Sequence, residues 1–459
     1  MSPTRVTVGL DIGTSSVKAI AADDDGNVVA SARVPHEVRV PAPQRFEHDA
    51  GVAWRRGPRE ALAKVARDLD VRGVSVAAMV PSLTAVDADG LPLVPGLLYG
   101  DERGRTTADG VAEQPGEADS PAESGELLGF LRWCLREAPE AAGLWPAQAM
   151  ANHALSGEAV LDTSTAATAY PLFDWTGWDP EIVASVGARQ EQLPRIVPTG
   201  WEVARVDGDG PPLASGCIDA LAEQIVAGAD GDGDVLVLLG TTLIVWVVAP
   251  TDAPEVPGFW TIPHTARDKL LIGGPSNAGG MFCNWVNGWL RDPSGPPQPN
   301  RVPVFAPYPR GERTPLHDPR RRARVVDLDL THDAAALRRA AFEASGFVVR
   351  RVLDAVREHA GVVPRRLVAT GGGVRVGEWV QAVADATQVA VDCVAVPEGG
   401  ALGSAWLARI AAGFEEVSAM TDGRRWARVD RTIEADAAWV DATEDRYARF
   451  LAIAGPEES

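Results

Sequence analysis

Twice in this chain a β-prone run breaks on Gly-Thr and resumes as a second β-prone run. The first is Val6, Val8 and Leu10, ending on Asp11, with Gly13, Thr14, Ser15 and Ser16 following. The second is Val235 to Leu239, then Gly240-Thr241-Thr242, then Leu243 to Val248. Glycine permits the tight turn, and the hydroxyl residues beside it add donors to the bared backbone amides. In the first copy Asp23 to Asn27 is a further turn signal before Val28 and Val29, so Arg5 to Ala32 reads as two hairpins in succession. An acid at a strand end beside amides and hydroxyls is suited to a metal and the phosphates it bridges. One Gly-Thr hairpin is a common turn and carries little. Two, in similar halves, are suited to grip a triphosphate from two sides of a cleft.

The chain has 459 residues, 46% of them apolar, enough for two domains with separate cores. A formal net charge of −20 argues against nucleic acid or an anionic membrane surface as partner. Only Lys18, Lys64 and Lys269 are lysine. Cys134, Cys217, Cys283 and Cys393 are scattered without a C-x-x-C pair, which disfavours a disulfide framework or a zinc site and fits a reducing cytoplasm. The opening residues do not read as a charged-then-apolar leader, and the apolar run Val235 to Pro250 is too short to span a bilayer.

Between the two copies, Val52 to Asp70 has helical spacing and Val71 to Met79 reads as a buried strand. Gly104 to Glu126, rich in Gly, Pro, Ser and acids and without an aromatic residue, reads as an exposed loop. Helical patterns resume at Leu127 to Glu137, Trp145 to Leu155 and Ile218 to Ala229. Asp230 to Asp234 places acids at spacing two, but an EF-hand needs Gly and Glu where Val235 and Thr241 stand, so a surface turn is expected. Leu367 to Gly373 is a strand running into three glycines, a turn that admits close approach of a flat or phosphorylated ligand. It is not G-x-G-x-x-G, so a dinucleotide site is unsupported. Glu398 to Ala405 starts a helix whose small residues either pack closely or leave room for a ligand ring. Trp54 reads either as packing or as a pocket wall, and His48, His153, His264 and His317 have no metal-ligand spacing.

Five segments occur in the order found in the FGGY carbohydrate kinases: VGLDIGTSSVKAIA, SGCIDALAEQIVAGA, LLGTTLIVWVVA, PYPRGERTPLHDP, and ATGGGVRVGEWVQAVADAT with PEGGALGSAWLA. The chain resembles that family over nearly its whole length, xylulokinases most. The resemblance implies an α/β protein of two actin-like ATPase (ribonuclease H-like) domains with an inter-domain cleft. The expected division is 1–212, carrying the sugar side and the first phosphate loop, 213–435, carrying the nucleotide side, and a helix in 436–459 packing back on the first domain. It also implies ATP with Mg²⁺, a small sugar or polyol as partner, a cytoplasmic setting, and a homodimer among the permitted assemblies. Carried over by position, Asp11 acts on the metal. Gly13, Thr14, Ser15 and Lys18 form the first phosphate loop, and Gly240 and Thr241 the second. Gly280 and Asn284 line the nucleotide site, and Gly372 and Gly373 form the adenosine turn. Asp219 is the catalytic base, although on residue type alone it reads equally as a helix N-terminal acid. Met79, Val80, Asp101, Asp219 and Ala220 fall on the sugar side.

The departures cluster at the sugar end. Xylulokinases carry Gln-Met-His-Gly where this chain has Ala78-Met79-Val80-Pro81, and Asn where it has Ala220. Both changes remove groups able to hydrogen-bond a polyol, which weighs against D-xylulose, since an unpaired buried polar group costs about 1–3 kcal/mol. Two alternatives to a sugar kinase stay open at this level. One is another actin-like ATPase, such as a chaperone or filament protein. The other is a non-catalytic nucleotide or sugar sensor.

Overall fold

The computed structural model describes residues 3–105, 126–265, 268–291 and 295–455. Most of the stretch expected as an exposed loop, 106–125, lies outside the described residues. The chain forms two units. The first runs to Val226 and takes in Glu398–Trp426; the second comprises Ala227–Pro397 and the residues from Ala427 onward. These boundaries differ from a simple division at 212 and 435, because Glu398–Trp426 returns to the first unit.

The sheet of the first unit contains β1 (Arg5–Ile12), β2 (Ser16–Ala22), β3 (Val28–Pro35), β4 (Asp70–Ala78), β5 (Glu202–Arg205), β6 (Pro212–Ala214) and β7 (Cys217–Ile218). Its spatial order is β5-β6-β4-β1-β2-β3, with β7 pairing β4 on the edge that β6 also occupies. β1 runs antiparallel to β2 and parallel to β4. Every residue of β1 after Arg5 is buried, so this strand is covered on both faces.

The second sheet contains β8 (Asp234–Leu239), β9 (Leu243–Pro250), β10 (Trp260–Pro263), β11 (Lys269–Ser276), β12 (Arg366–Thr370), β13 (Val391–Val394) and β14 (Val429–Ile433). Its order is β10-β11-β9-β8-β12-β13-β14. As in the first sheet, the leading strand is antiparallel to its hairpin partner and parallel to a later strand: β8 to β9 and β8 to β12. The repeated Gly-Thr feature therefore marks a repeated topology.

The helices that matter for the site are α1 (Gly57–Val65), α2 (Asp219–Ala227), α3 (Gly280–Asn287), α4 (Ala334–Ala360), α5 (Gly377–Thr387), α6 (Gly399–Ala411) and α7 (Val440–Ala454). The small residues of α6 serve packing. A Cβ on Gly9 would lie 1.9 Å from the Ala401 carbonyl oxygen, one on Gly73 2.4 Å from that of Ala408, and one on Gly403 1.9 Å from that of Ala222. These contacts seat α6 on β1, β4 and α2.

α7 corrects an expectation. It packs within the second unit, where Trp439, Tyr447, Phe450 and Ala454 join the core formed with α4 and α5. Arg350 of α4 meets Glu444 at 2.6 Å, and the Tyr447 hydroxyl donates to Asp354 at 2.8 Å. Residues 437–454 have helical spacing, but periodicity carries no information about which surface covers the apolar face.

Candidate active site

Three parallel strands of the first unit end in register. Asp11 lies beside Ala77, and Ala77 beside Cys217; Ile12, Ala78 and Ile218 follow. The next residues are Gly13, Met79 and Asp219. Strands in a sheet are about 4.8 Å apart, so the backbones of Gly13 and Asp219 are separated by two spacings, roughly 10 Å, and Asp11 lies two residues back along β1 from Gly13. Carboxyl ends of parallel strands are the usual ligand-binding edge of an α/β sheet.

Asp11 is 4% exposed, and its cross-strand neighbour Lys18 donates to it with Nζ–Oδ2 at 2.8 Å. The Asp11 charge raises the Lys18 pKa, opposed by burial and assisted by Glu223 and Glu398. A Cβ on Gly400, in the first turn of α6, would sit 3.1 Å from the Asp11 carboxyl carbon. Glycine there lets the helix N-terminus approach the acid closely. Asp219 opens α2, is half-buried, and accepts the Ala220 N–H at Oδ1, 2.8 Å. Met79 is buried and Val80 half-buried at the end of the neighbouring strand.

The turn Gly13 to Ser16 is held from behind by side chains that spacing did not single out. Gly13 N–H bonds the Ser16 carbonyl, and the Thr14 hydroxyl lies 2.8 Å from that of Tyr99. Trp54 Nε1–H donates to His48 Nδ1 at 3.0 Å, which leaves His48 Nε2–H to donate to the Thr14 carbonyl at 2.8 Å. His36 Nε2 bonds the Gly13 carbonyl at 3.0 Å, and the two imidazoles meet edge-on. Both histidines serve as neutral donors. Trp54 is fully buried, so it is a packing and relay residue, not a pocket wall.

Burial, with a smaller contribution from His36, lowers the His48 pKa from 6.5 to about 4. The unfolded chain then binds a proton that the folded chain refuses, so this contribution is present above pH 6.5 and is lost as pH falls through 4. The whole effect is on the order of 3 kcal/mol. Urea unfolding from pH 7 to 4 is expected to show wild type losing that much more stability than His48→Gln, which keeps both hydrogen bonds without titrating. Parallel pH curves for the two proteins would exclude it.

Asp101 is also corrected. It is completely buried, and its oxygens accept from Arg103 Nε at 2.8 Å, Arg103 Nη2 at 2.7 Å and the Phe46 N–H at 2.6 Å. Arg103 continues to Glu47 at 3.0 Å. The acid ties two strand ends together and has no oxygen face directed to a ligand.

In the second unit, Gly240 and Thr241 form the turn between β8 and β9, with Gly280 N–H on the Gly240 carbonyl and Met281 N–H on that of Thr241. Only glycine fits at Gly279, where a Cβ would lie 2.4 Å from Leu243 N. Gly371, at φ +84°, approaches the Leu239 carbonyl, and a Cβ on Gly373 would meet Trp379 at 2.5 Å. Gly372 faces open space. Gly373 is thus fixed by packing, while Gly372 is the accessible member of the expected adenosine turn. Asn284 is exposed on α3.

The GERTP segment has a readable purpose here. Glu312, 2% exposed, accepts from Ser276 Oγ at 2.7 Å, Asn277 N–H at 3.0 Å and Arg313 N–H at 2.7 Å. It anchors the loop that delivers Gly279 and Gly280 to the Gly240–Thr241 turn. Sequence reasoning noted the motif without that role.

Among the described residues no cluster of three or more His, Cys, Asp or Glu could hold a metal, and no helix is long and apolar enough to cross a membrane. Magnesium commonly takes one or two carboxylates and completes its shell with water and phosphate. A single buried Asp11 beside hydroxyls and open amides fits that ion and does not fit an all-protein cage.

Duplicated sheets of this topology, each with a phosphate-type turn, define a two-domain actin-like ATPase. Residues 6–214 match the N-terminal domain of the FGGY family of carbohydrate kinases, and residues 235–412 match its C-terminal domain. The chain belongs to that family and is a carbohydrate kinase. It is 26% identical to the xylulose kinase of Escherichia coli (strain K12), covering 89% of this chain and 90% of the relative. It is 24% identical to the gluconokinase of Bacillus subtilis (strain 168), covering 91% and 90%. Among solved structures, the xylulose kinase from Rhodospirillum rubrum superposes with a TM-score of 0.77 at 27% identity, covering 98% of each chain.

Proposed function

We propose that this kinase transfers the γ-phosphoryl group of ATP to a hydroxyl of a small sugar or polyol other than D-xylulose, with Asp219 as the base. The carrying observation is the shared ending of β1, β4 and β7, which sets Asp11, Met79 and Asp219 on one sheet edge. In this reading Asp219 accepts the proton of the attacking hydroxyl and orients it in line with the phosphorus. Gly13, Thr14, Ser15, Gly240 and Thr241 offer amides and hydroxyls to phosphate oxygens, and Lys18 adds a cation. Gly280, Asn284 and Gly372 serve the nucleoside end. Asp11 would hold magnesium, which when bound neutralises charge on the phosphates.

Val80 and Ala220 lie at adjoining strand ends, since Ala78 pairs with Ile218. They favour an acceptor that presents a C–H edge there. The four cysteines are unpaired and buried, which supports a reducing, cytoplasmic setting.

Coupled ADP-release assays over ketoses, polyols and aldonic acids test the proposal. At least one acceptor other than D-xylulose is expected to be turned over with a kcat/KM about tenfold or more above that of D-xylulose, the scale of one lost polar contact. Tight ADP binding with no turnover on any acceptor would instead favour the sensor reading that the apolar Val80 and Ala220 also permit.

A further inference from the structure

Asp219 is delivered by β7, a strand of two residues. So short a ladder fixes a side chain poorly, yet the approach to Asp219 is gripped at successive backbone groups. Asn152 Nδ2 bonds the Ser215 carbonyl at 3.1 Å. Gly216, at φ +96°, brings the chain so near β4 that a Cβ would meet the Val76 carbonyl oxygen at 2.2 Å. Gln148 Nε2 donates to the Cys217 carbonyl at 3.0 Å, and its Oε1 accepts the Asp162 N–H at 3.1 Å. Ser164 Oγ accepts the Ile218 N–H at 3.2 Å and donates to Asp162 Oδ2 at 2.5 Å. Asp162 is completely buried, and its remaining contacts are the Ser164 N–H at 2.7 Å, the Thr165 N–H at 3.2 Å and the Thr199 hydroxyl at 2.6 Å.

Asp162 caps the short helix Thr163–Ala167, and capping needs only its contacts with the amides of Ser164 and Thr165. The serine hydroxyl adds a second link, from that buried carboxylate to the amide immediately before Asp219. Its proton is committed to Asp162, so its lone pair is the group aimed at Ile218. We propose that Ser164, oriented by Asp162, is a positioning residue for phosphoryl transfer that fixes the angle at which Asp219 meets the acceptor hydroxyl. The inference rests on Asp219 acting as the base.

Misplacement by about 1 Å of a group that orients a reactant costs on the order of 10²-fold in rate. Ser164→Ala is therefore expected to lower sugar-dependent kcat by about 10–100-fold while KM for ATP stays nearly constant. Ser164→Thr, which restores the hydroxyl, should recover most of the loss. Thermal unfolding of each variant verifies folding, and Ser164→Cys, which keeps the volume but accepts hydrogen bonds weakly, replaces Ser164→Ala if that protein does not fold. Wild-type kcat in Ser164→Ala, or equal loss in the Thr variant, would overturn the positioning role. So would a fall in kcat accompanied by a matching rise in KM for ATP, the mark of general loosening. Asp219→Asn is measured in parallel. An active Asp219→Asn protein overturns the base reading itself, whereas an inactive one beside an unaffected Ser164→Ala overturns only the inference drawn from Ser164.

Discussion

Asp219→Asn is expected to lower sugar-dependent ADP release by about 10²–10⁴-fold, the range that positioned general bases contribute. Asparagine keeps the shape and can still accept the Ala220 N–H that Asp219 Oδ1 takes at 2.8 Å. What it loses is the ability to carry a proton away from the attacking hydroxyl. The nucleotide contacts proposed above fall to other residues, so ATP affinity by calorimetry should be nearly unchanged. Equal sugar-dependent rates in both proteins would remove Asp219 from the base role.

The second large effect is on stability. Glu343, 1% exposed in α4, accepts from Arg339 Nε at 2.9 Å and from Arg446 of α7 at 2.6 and 2.7 Å. Arg339 also reaches Asp385 of α5 at 2.7 Å and lies over the Trp439 ring. Glu343→Ala would take from the buried Arg446 its carboxylate partner and leave Arg339 with Asp385 alone, and breaking a buried pair costs about 3–5 kcal/mol. Urea unfolding should show the free energy of unfolding of the second unit lowered to that extent. Replacing Glu343 and Arg446 together by apolar residues should cost less than Glu343→Ala, because no charge is then stranded. A Glu343→Ala protein as stable as wild type would show the network to be dispensable.

The first hairpin, its terminal Asp11 and the second hairpin were legible in the sequence because each is written in adjacent residues: apolar alternation, one acid, one glycine. The order of the five segments carried the family. What escaped was set by distant contacts. Asp101, with Arg103 two residues on, reads either as a sugar-binding pair or as an ion pair on the surface, and nothing local reveals that the pair is buried or that the Phe46 amide also occupies the acid. Asp162 caps a helix of five residues, too short to show a period, and its bond to Thr199 depends on tertiary packing. His36 and His48 lie on separate segments, and no spacing rule joins them to the carbonyls of Gly13 and Thr14. The spacing over 437–454 marks an amphipathic helix but not the unit it covers, since an apolar face fits any apolar surface of suitable shape.

The return of Glu398–Trp426 to the first unit bears on how the protein is made. α6 covers β1 and β4 through contacts in which Gly9 and Gly73 leave no gap. On a ribosome, those strands are synthesised first and must wait until nearly the whole chain has emerged before that face is sealed. The N-terminal half cannot mature as an autonomous folding unit ahead of the second. Until α6 docks, that face of the two strands stays uncovered, the kind of exposed surface that makes partly folded chains prone to aggregate.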